Sequence, residues 1–278
     1  MQKSDTIDLI NYIIATGKQL VDKSGEIEDI GVKKQYCTEE DIRIEREIKE
    51  IISKMSGVNQ FYAEEENDTF IDAESVWIAD PISGTKLFIE GLNHYAIVVS
   101  HMIRGKVDFA VVYDPSADKL YIGNKGEGVL VNDKKIIPFT TNKKRIIYAP
   151  SYAWKNLEKS EKLRKELEKK YDLYPSQGSF AINYCLASEG TFDGVVSLTK
   201  DAFPEFAGCF IANESGMNAT NINGNKDILP NDRVFICGNK DNYDELFKIT
   251  KEVIKWKRRK LVNYDRSRLY ENSNWSSK

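Results

Sequence analysis

The sequence predicts an α/β protein in which helices pack on mixed sheets as alternating layers. Three observations predict it. Two amphipathic helical segments precede the first strand, a run of short β-rich segments follows, and helical and strand-like stretches then alternate with no internal repeat. In the first segment Ile7, Ile10, Ile13, Ile14 and Leu20 fall close to helical spacing, so Ile7 to Lys23 is expected to be an N-terminal helix. Thr38 to Ser53 repeats the pattern: Thr38 can cap the helix, Asp41 completes a capping box three residues on, and Ile44, Ile48, Ile51 and Ile52 form the buried stripe. Val76 to Ala79 reads as a strand. From Ala96 to Met102, Phe109 to Tyr113, Leu120 to Asn124 and Gly128 to Val131 the chain reads as an antiparallel meander, broken by Gly, Asp, Pro and Lys. Lys155 to Lys170 is a charged helical segment with little apolar face, expected to be solvent-exposed. Gln177 to Glu189 is expected to be helical with Ile182, Cys185 and Leu186 inward, and Phe206 to Glu214 helical again. The stretch from Lys251 to Lys278 begins helical and ends in an Asn-, Ser- and Arg-bearing tail of the kind expected to be mobile.

Composition narrows the functional classes. At 278 residues, 41% hydrophobic and 30% charged, the chain can bury a sizeable core as one large domain or two closely packed halves. A net charge of -3 supplies no basic field, so nucleic acid is not an expected partner and a small ligand is. No apolar run approaches the roughly 18 residues that span a bilayer, and Met1 to Leu20 lacks the pattern of a signal peptide, so a cytoplasmic protein without a membrane partner is expected. Cys37, Cys185, Cys209 and Cys237 are far apart with no C-x-x-C spacing, which argues for reduced structural thiols rather than zinc or a redox dithiol.

The most informative stretch is Trp77-Ile78-Ala79-Asp80-Pro81-Ile82-Ser83-Gly84-Thr85. A strand delivers Asp80 to a turn where Gly84 and Thr85 can present backbone N–H groups and a hydroxyl to an anion. The segment resembles the Asp-Pro-x-Asp-Gly-Thr signature of the inositol monophosphatase superfamily, whose members use Mg²⁺ to hydrolyse small phosphate monoesters. Asp80 matches the first aspartate; Ser83 replaces the second. Phe61-Tyr62-Ala63-Glu64-Glu65 resembles the family's Gly-Glu-Glu segment and carries over Glu64 as a metal ligand that orients the attacking water. Lys33, Lys34 and Thr38 to Asp41 resemble the upstream lysine and Thr-x-x-Asp segment, with Asp41 either supporting an outer metal or water, or simply capping its helix. Gly91-Leu92-Asn93-His94-Tyr95-Ala96 resembles the segment after the signature, with His94 read as structural. Gly178-Ser179-Phe180-Ala181-Ile182-Asn183 resembles the Gly-Ser/Thr-Ala-Ala segment beside the substrate, placing Ser179 and Phe180 at the pocket, and Asp193-Gly194 resembles the start of another core strand.

The family's Trp-Asp-x-Ala-Ala-Gly motif falls on Phe203-Pro204-Glu205-Phe206-Ala207-Gly208, which puts Pro204 at an aspartate position. Proline is comfortable in a helix's first turn but cannot bind a cation. By resemblance, Glu64, Asp80 and the Ile82 carbonyl would hold one Mg²⁺, Thr85 would hold the nucleophilic water with Glu64 and Asp41, and Ser83, Gly84 and Thr85 would receive phosphate. A second Mg²⁺ keeps only Asp80 of its three family aspartates. Glu205 and Asp201 are candidate substitute ligands, and Lys86 or Lys200 could bring an ammonium to the emptied position. Ser197 stands where many inositol phosphatases carry a ring-contacting glutamate, which argues against inositol phosphate itself.

The resemblance further implies alternating α-β-α-β-α layers, an α+β half over 1–140 carrying the motif, an α/β half over 141–262, a polar tail over 263–278, and a homodimer. Two functions stand open. One is a metal-dependent phosphomonoesterase acting on a small phosphorylated metabolite, weakened by Ser83 and Pro204. The other is an inactive pseudophosphatase that binds a phosphorylated ligand or a protein partner.

Overall fold

The computed structural model describes residues 3–31, 36–136 and 143–254. Five layers alternate helix and sheet. The outermost holds α1 (Lys3–Lys23) and α2 (Glu39–Ser53), whose apolar stripes, Leu9, Ile13 and Leu20 with Ile44, Ile48 and Ile52, pack on one face of the first sheet against Trp77, Ile97, Val99 and Val111. That sheet runs β1 (Gln60–Ala63), β2 (Ser75–Ser83), β3 (Ala96–Ile103), β4 (Lys106–Asp114), β5 (Lys119–Asn124), β6 (Gly128–Val131) and β7 (Lys134–Lys135) in chain order. Only β1 against β2 is parallel; the others form the expected meander. Successive β2 residues alternate faces as the pleat requires, with Trp77 and Ala79 toward α1 and α2, and Val76 and Ile78 toward the interior.

The central layer is α5 (Phe180–Ser188) and α6 (Phe203–Glu214), buried between the two sheets with Tyr184, Phe206 and Cys209 in the core they share. The second sheet has the order β11 (Asn218–Asn221), β12 (Val234–Gly238), β10 (Gly194–Leu198), β8 (Arg145–Pro150) and β9 (Asp172–Tyr174). Its far face carries α4 (Leu157–Glu168) and α7 (Tyr243–Val253).

Several expectations shift. α4 is not merely an exposed charged rod, because Leu163 and Leu167, one turn apart, are fully buried against β8 and β10. α5 begins at Phe180 rather than Gln177, where Ser179 accepts the Ala181 N–H and caps it. α6 begins at Phe203, three residues early, with Pro204 in its first turn where the missing N–H has no intrahelical acceptor to lose. The last helix starts at Tyr243, not Lys251. Lys33, Lys34 and the 263–278 tail lie outside the described residues. No helix among the described residues is long and apolar enough to cross a membrane, and all four cysteines are buried and outside any disulfide.

Candidate functional site

Two sheets contribute chain ends to one place. Ala63 pairs with Ala79 across the parallel β1–β2 ladder, so the next residues, Glu64 just past the end of β1 and Asp80 still within β2, stand side by side. The β2–β3 register then shifts between Asp80 and Ser83, a bulge that accommodates Pro81 and re-aims the strand end. Gly84 follows in the left-handed region (φ 88°, ψ 34°), which only glycine enters without strain, and turns the chain into the short helix α3 (Thr85–Ile89). As first-turn residues, Thr85 and Lys86 have backbone N–H groups without intrahelical acceptors. From the second sheet, β10 ends at Leu198 and passes through Thr199, Lys200 and Asp201 into α6.

Lys200 closes the cluster. Its Nζ lies 2.8 Å from Glu64 Oε1 and 3.7 Å from Asp201 Oδ2. Asp80 is 3% exposed, and its Oδ1 has no hydrogen-bond partner. Burial, then the charges of Glu64 and Asp201, push the Asp80 carboxyl well above its ordinary range, outweighing Ser83 and Lys200, which favour the anion. Burial and Glu64 raise Asp201 to about 6. Burial works against the Lys200 ammonium, but Glu64 and Asp201 prevail and raise its pKa.

The other sequence candidates divide. Asp41 is 1% exposed and serves the helix start: its Oδ2 accepts the Thr38 N–H (2.8 Å) and hydroxyl (2.6 Å). Its Oδ1 also stands 3.4 Å from the Thr85 hydroxyl, so capping and a link to the site coexist. Thr85 Oγ1 donates to the Ile82 carbonyl at 2.8 Å. Ser83 Oγ accepts a 2.7 Å hydrogen bond from Ser179, tying the signature turn to the start of α5. The crossing is close: Ser179 N–H donates to His94 O at 2.7 Å, and a Cβ on Gly178 would lie 2.3 Å from that oxygen. Phe180 is half-buried beside this junction.

Three candidates belong elsewhere. Ser197 is fully buried, bonded to the Tyr184 hydroxyl (2.8 Å) and 3.4 Å from Glu205 Oε1, so it is a core residue and not a pocket lining. Glu205 is likewise fully buried toward Ser197, with Oε2 unpartnered, and burial raises its pKa well above the usual value. Asp201, the other candidate substitute, is the acid that joins Asp80 and Glu64. Lys86 pairs with Glu90 (3.7 Å) and lies over the Tyr36 ring, leaving Lys200 as the lysine at the carboxylates. His94 is structural, its Nδ1 2.8 Å from Asp114 Oδ2.

One important residue escaped the sequence reading. Glu45, fully buried, accepts the backbone N–H groups of Glu65 (2.7 Å), Glu66 (2.8 Å) and Asn67 (3.0 Å) and the Asn67 side-chain amide (2.8 Å), and so fixes the loop that carries Glu64. Its signal was a glutamate at i−3 and i−7 from Ile48 and Ile52, on the inward face of α2. At the opposite end of β2, His101 bridges Ser75 (2.9 Å) and Asp108 (2.7 Å) in the order of a nucleophile relay. That hydroxyl, however, donates to Asn59 Oδ1 (2.7 Å), and the 4% exposed imidazole lies against Trp77, so the network ties strands together.

Comparison with known proteins decides the family. The model of the inositol monophosphatase family matches residues 7–255. The chain belongs to this family. It is 28% identical over 251 residues to the Aquifex aeolicus fructose-1,6-bisphosphatase/inositol-1-monophosphatase, covering 86% of this chain and 92% of that one. It is 29% identical over 162 residues to the Vibrio cholerae Nus factor SuhB, covering 57% of this chain and 61% of the relative. The solved Thermotoga maritima IMPase superposes with a TM-score of 0.77 at 26% identity, over 90% of this chain and 98% of that one. The family is generally Mg²⁺-dependent and acts on small phosphorylated substrates. This chain's donors do not fit a pair of such ions: Ser83 is committed to Ser179, Pro204 has no donor, and Lys200 takes Glu64. Among the described residues no three His, Cys, Asp or Glu form a group able to hold a metal.

Proposed function

We propose that this family member binds a small phosphorylated metabolite, a sugar, polyol or nucleotide monophosphate, at the Ser83–Thr85 turn, and that its metal-assisted hydrolysis is strongly weakened. The observation that carries this reading is the ammonium of Lys200 on Glu64, at a site where Ser83 and Pro204 stand in place of two carboxylates. Removing members of a catalytic unit costs nearly as much as removing all of it, so residual turnover is expected to be small. What this chain's residues still offer an anion is the left-handed Gly84 turn and the N–H groups of Thr85 and Lys86 at the start of α3. The buried setting of Ser197 supports phosphates other than inositol's, because that position makes no ring contact from the core.

A second reading, hydrolysis with a single ion, is favoured by one atom: the unpartnered Oδ1 of Asp80, a buried donor of the kind a cation satisfies. Initial rates on a panel of phosphomonoesters with Mg²⁺, beside ligand-induced thermal shifts, separate the two. Binding with only trace release, and increased release in Ser83→Asp with Pro204→Asp, supports the weakened protein. Ordinary rates abolished by Asp80→Asn support the single-ion hydrolase and overturn the first reading.

A further inference from the structure

We infer that Lys200 is a tethered counter-cation that engages the Glu64 side of the divalent-metal position between Glu64 and Asp80 and keeps Mg²⁺ out of it. The inference rests on reading these carboxylates as the family's cation site, though not on whether the chain turns over substrate.

The geometry supplies the argument. The backbone delivers Glu64 and Asp80 from neighbouring parallel strands, so one compact cation can serve both. The ammonium already stands on the Glu64 side of that position, 2.8 Å from Glu64 Oε1 and 3.7 Å from Asp201 Oδ2, while Asp80 Oδ1 keeps no partner. It arrives on a segment held at both ends. Thr199 N–H donates to Arg233 O at 2.9 Å, its hydroxyl donates to Asp201 O at 2.5 Å, and Asp201 Oδ1 accepts the Phe203 N–H at the head of α6. A cation on such a tether competes at an effective concentration of millimolar or more, whereas a free ion must be recruited from solution and partly dehydrated. Lysine suits the exchange because its ammonium is a compact point charge with three donors. A divalent ion entering beside it would meet repulsion from the ammonium and find Glu64 already engaged. Mg²⁺ ordinarily needs only one or two protein carboxylates, so Glu64 and Asp80 would suffice once Lys200 is gone.

Mn²⁺ alone is the probe, with full-length protein and free ion counted by electron paramagnetic resonance. The wild type is expected to show no saturable site below about 1 mM, while Lys200→Met gains a single site at least about tenfold tighter. Lys200→Arg, which keeps the charge, should behave as wild type, and Glu64→Gln added to Lys200→Met should erase the gain. Lys200→Gln repeats the test with a polar side chain should the methionine variant fold poorly. Tight Mn²⁺ binding by the wild type, or no gain in either neutral variant, overturns the inference. Phosphomonoester binding is read separately by thermal shift, so failure of the counter-cation leaves the proposed ligand class standing, and the reverse.

Discussion

Glu45 and Asp80 are both carboxylates buried in the same half of the molecule, on α2 and at the end of β2, yet they are treated in opposite ways. Glu45 spends its oxygens on four N–H donors, three of them from the backbone that follows Glu64. Asp80 keeps one oxygen without any partner and sits within the field of Glu64, Asp201 and Lys200. Burying a charge is costly unless hydrogen bonds or opposite charges satisfy it. The first carboxylate is therefore part of the scaffold, and the second is a site whose cost the scaffold bears. The difference teaches that burial alone does not mark a functional acid; at Asp80 burial and an unfilled oxygen come together with Glu64, Asp201 and Lys200 converging from both sheets.

The comparison can be broken most sharply at Glu45. Glu45→Ala strands several buried N–H groups at once, and urea unfolding should show a loss of about 3–5 kcal/mol. If instead the loss is within about 0.5 kcal/mol, Glu45 does not hold the loop. At Asp80 the sign reverses: Asp80→Asn removes a buried carboxyl whose ionisation its surroundings oppose and should raise stability at pH 7 by about 1–2 kcal/mol while abolishing whatever phosphate release exists. A destabilised variant would show that Asp80 is structural like Glu45.

The smallest effect is a pH dependence from Asp201. Its carboxyl ionises at about 6 in the folded chain against a reference value of 3.8. Between those values the native state holds a proton that the unfolded state has lost, so the free energy of unfolding falls as pH rises from about 4 to about 6. Below that window both states are protonated and above it both are ionised, so the contribution is then constant. Stability measured in urea across this range should lose part of its downward slope in Asp201→Asn; an unchanged slope would remove Asp201 from the cluster.

Much of the fold was legible because its signals are local. The Thr38–Asp41 capping box, the isoleucine stripe of α2 and the turn-punctuated meander each declare themselves over a few residues. The second sheet was largely missed: β8, β11 and β12 are short, and their partners come from distant parts of the chain, so no local periodicity reveals them. Asp80, Gly84, Thr85 and Glu64 could be nominated from the sequence because motifs carry them, and the structure sets Glu64 beside Asp80 and Gly84 in the turn before Thr85. It was not legible at Asp201 and Glu205, one loop and one helical turn apart. Which of them reaches the cluster depends on where α6 begins, and α6 begins at Phe203. Lys200 could be nominated from the sequence, but only the meeting of the two sheets puts its ammonium on Glu64.

The central claim is that this family member keeps the phosphate turn while a lysine stands in its cation position. A crystal soaked with Mn²⁺ and a sugar monophosphate, read by anomalous scattering, tests it most directly. The account predicts phosphate density at Gly84 and Thr85, Lys200 Nζ still in contact with Glu64, and no manganese between Glu64 and Asp80. Two manganese ions bound there, with Lys200 turned out to solvent, would contradict it.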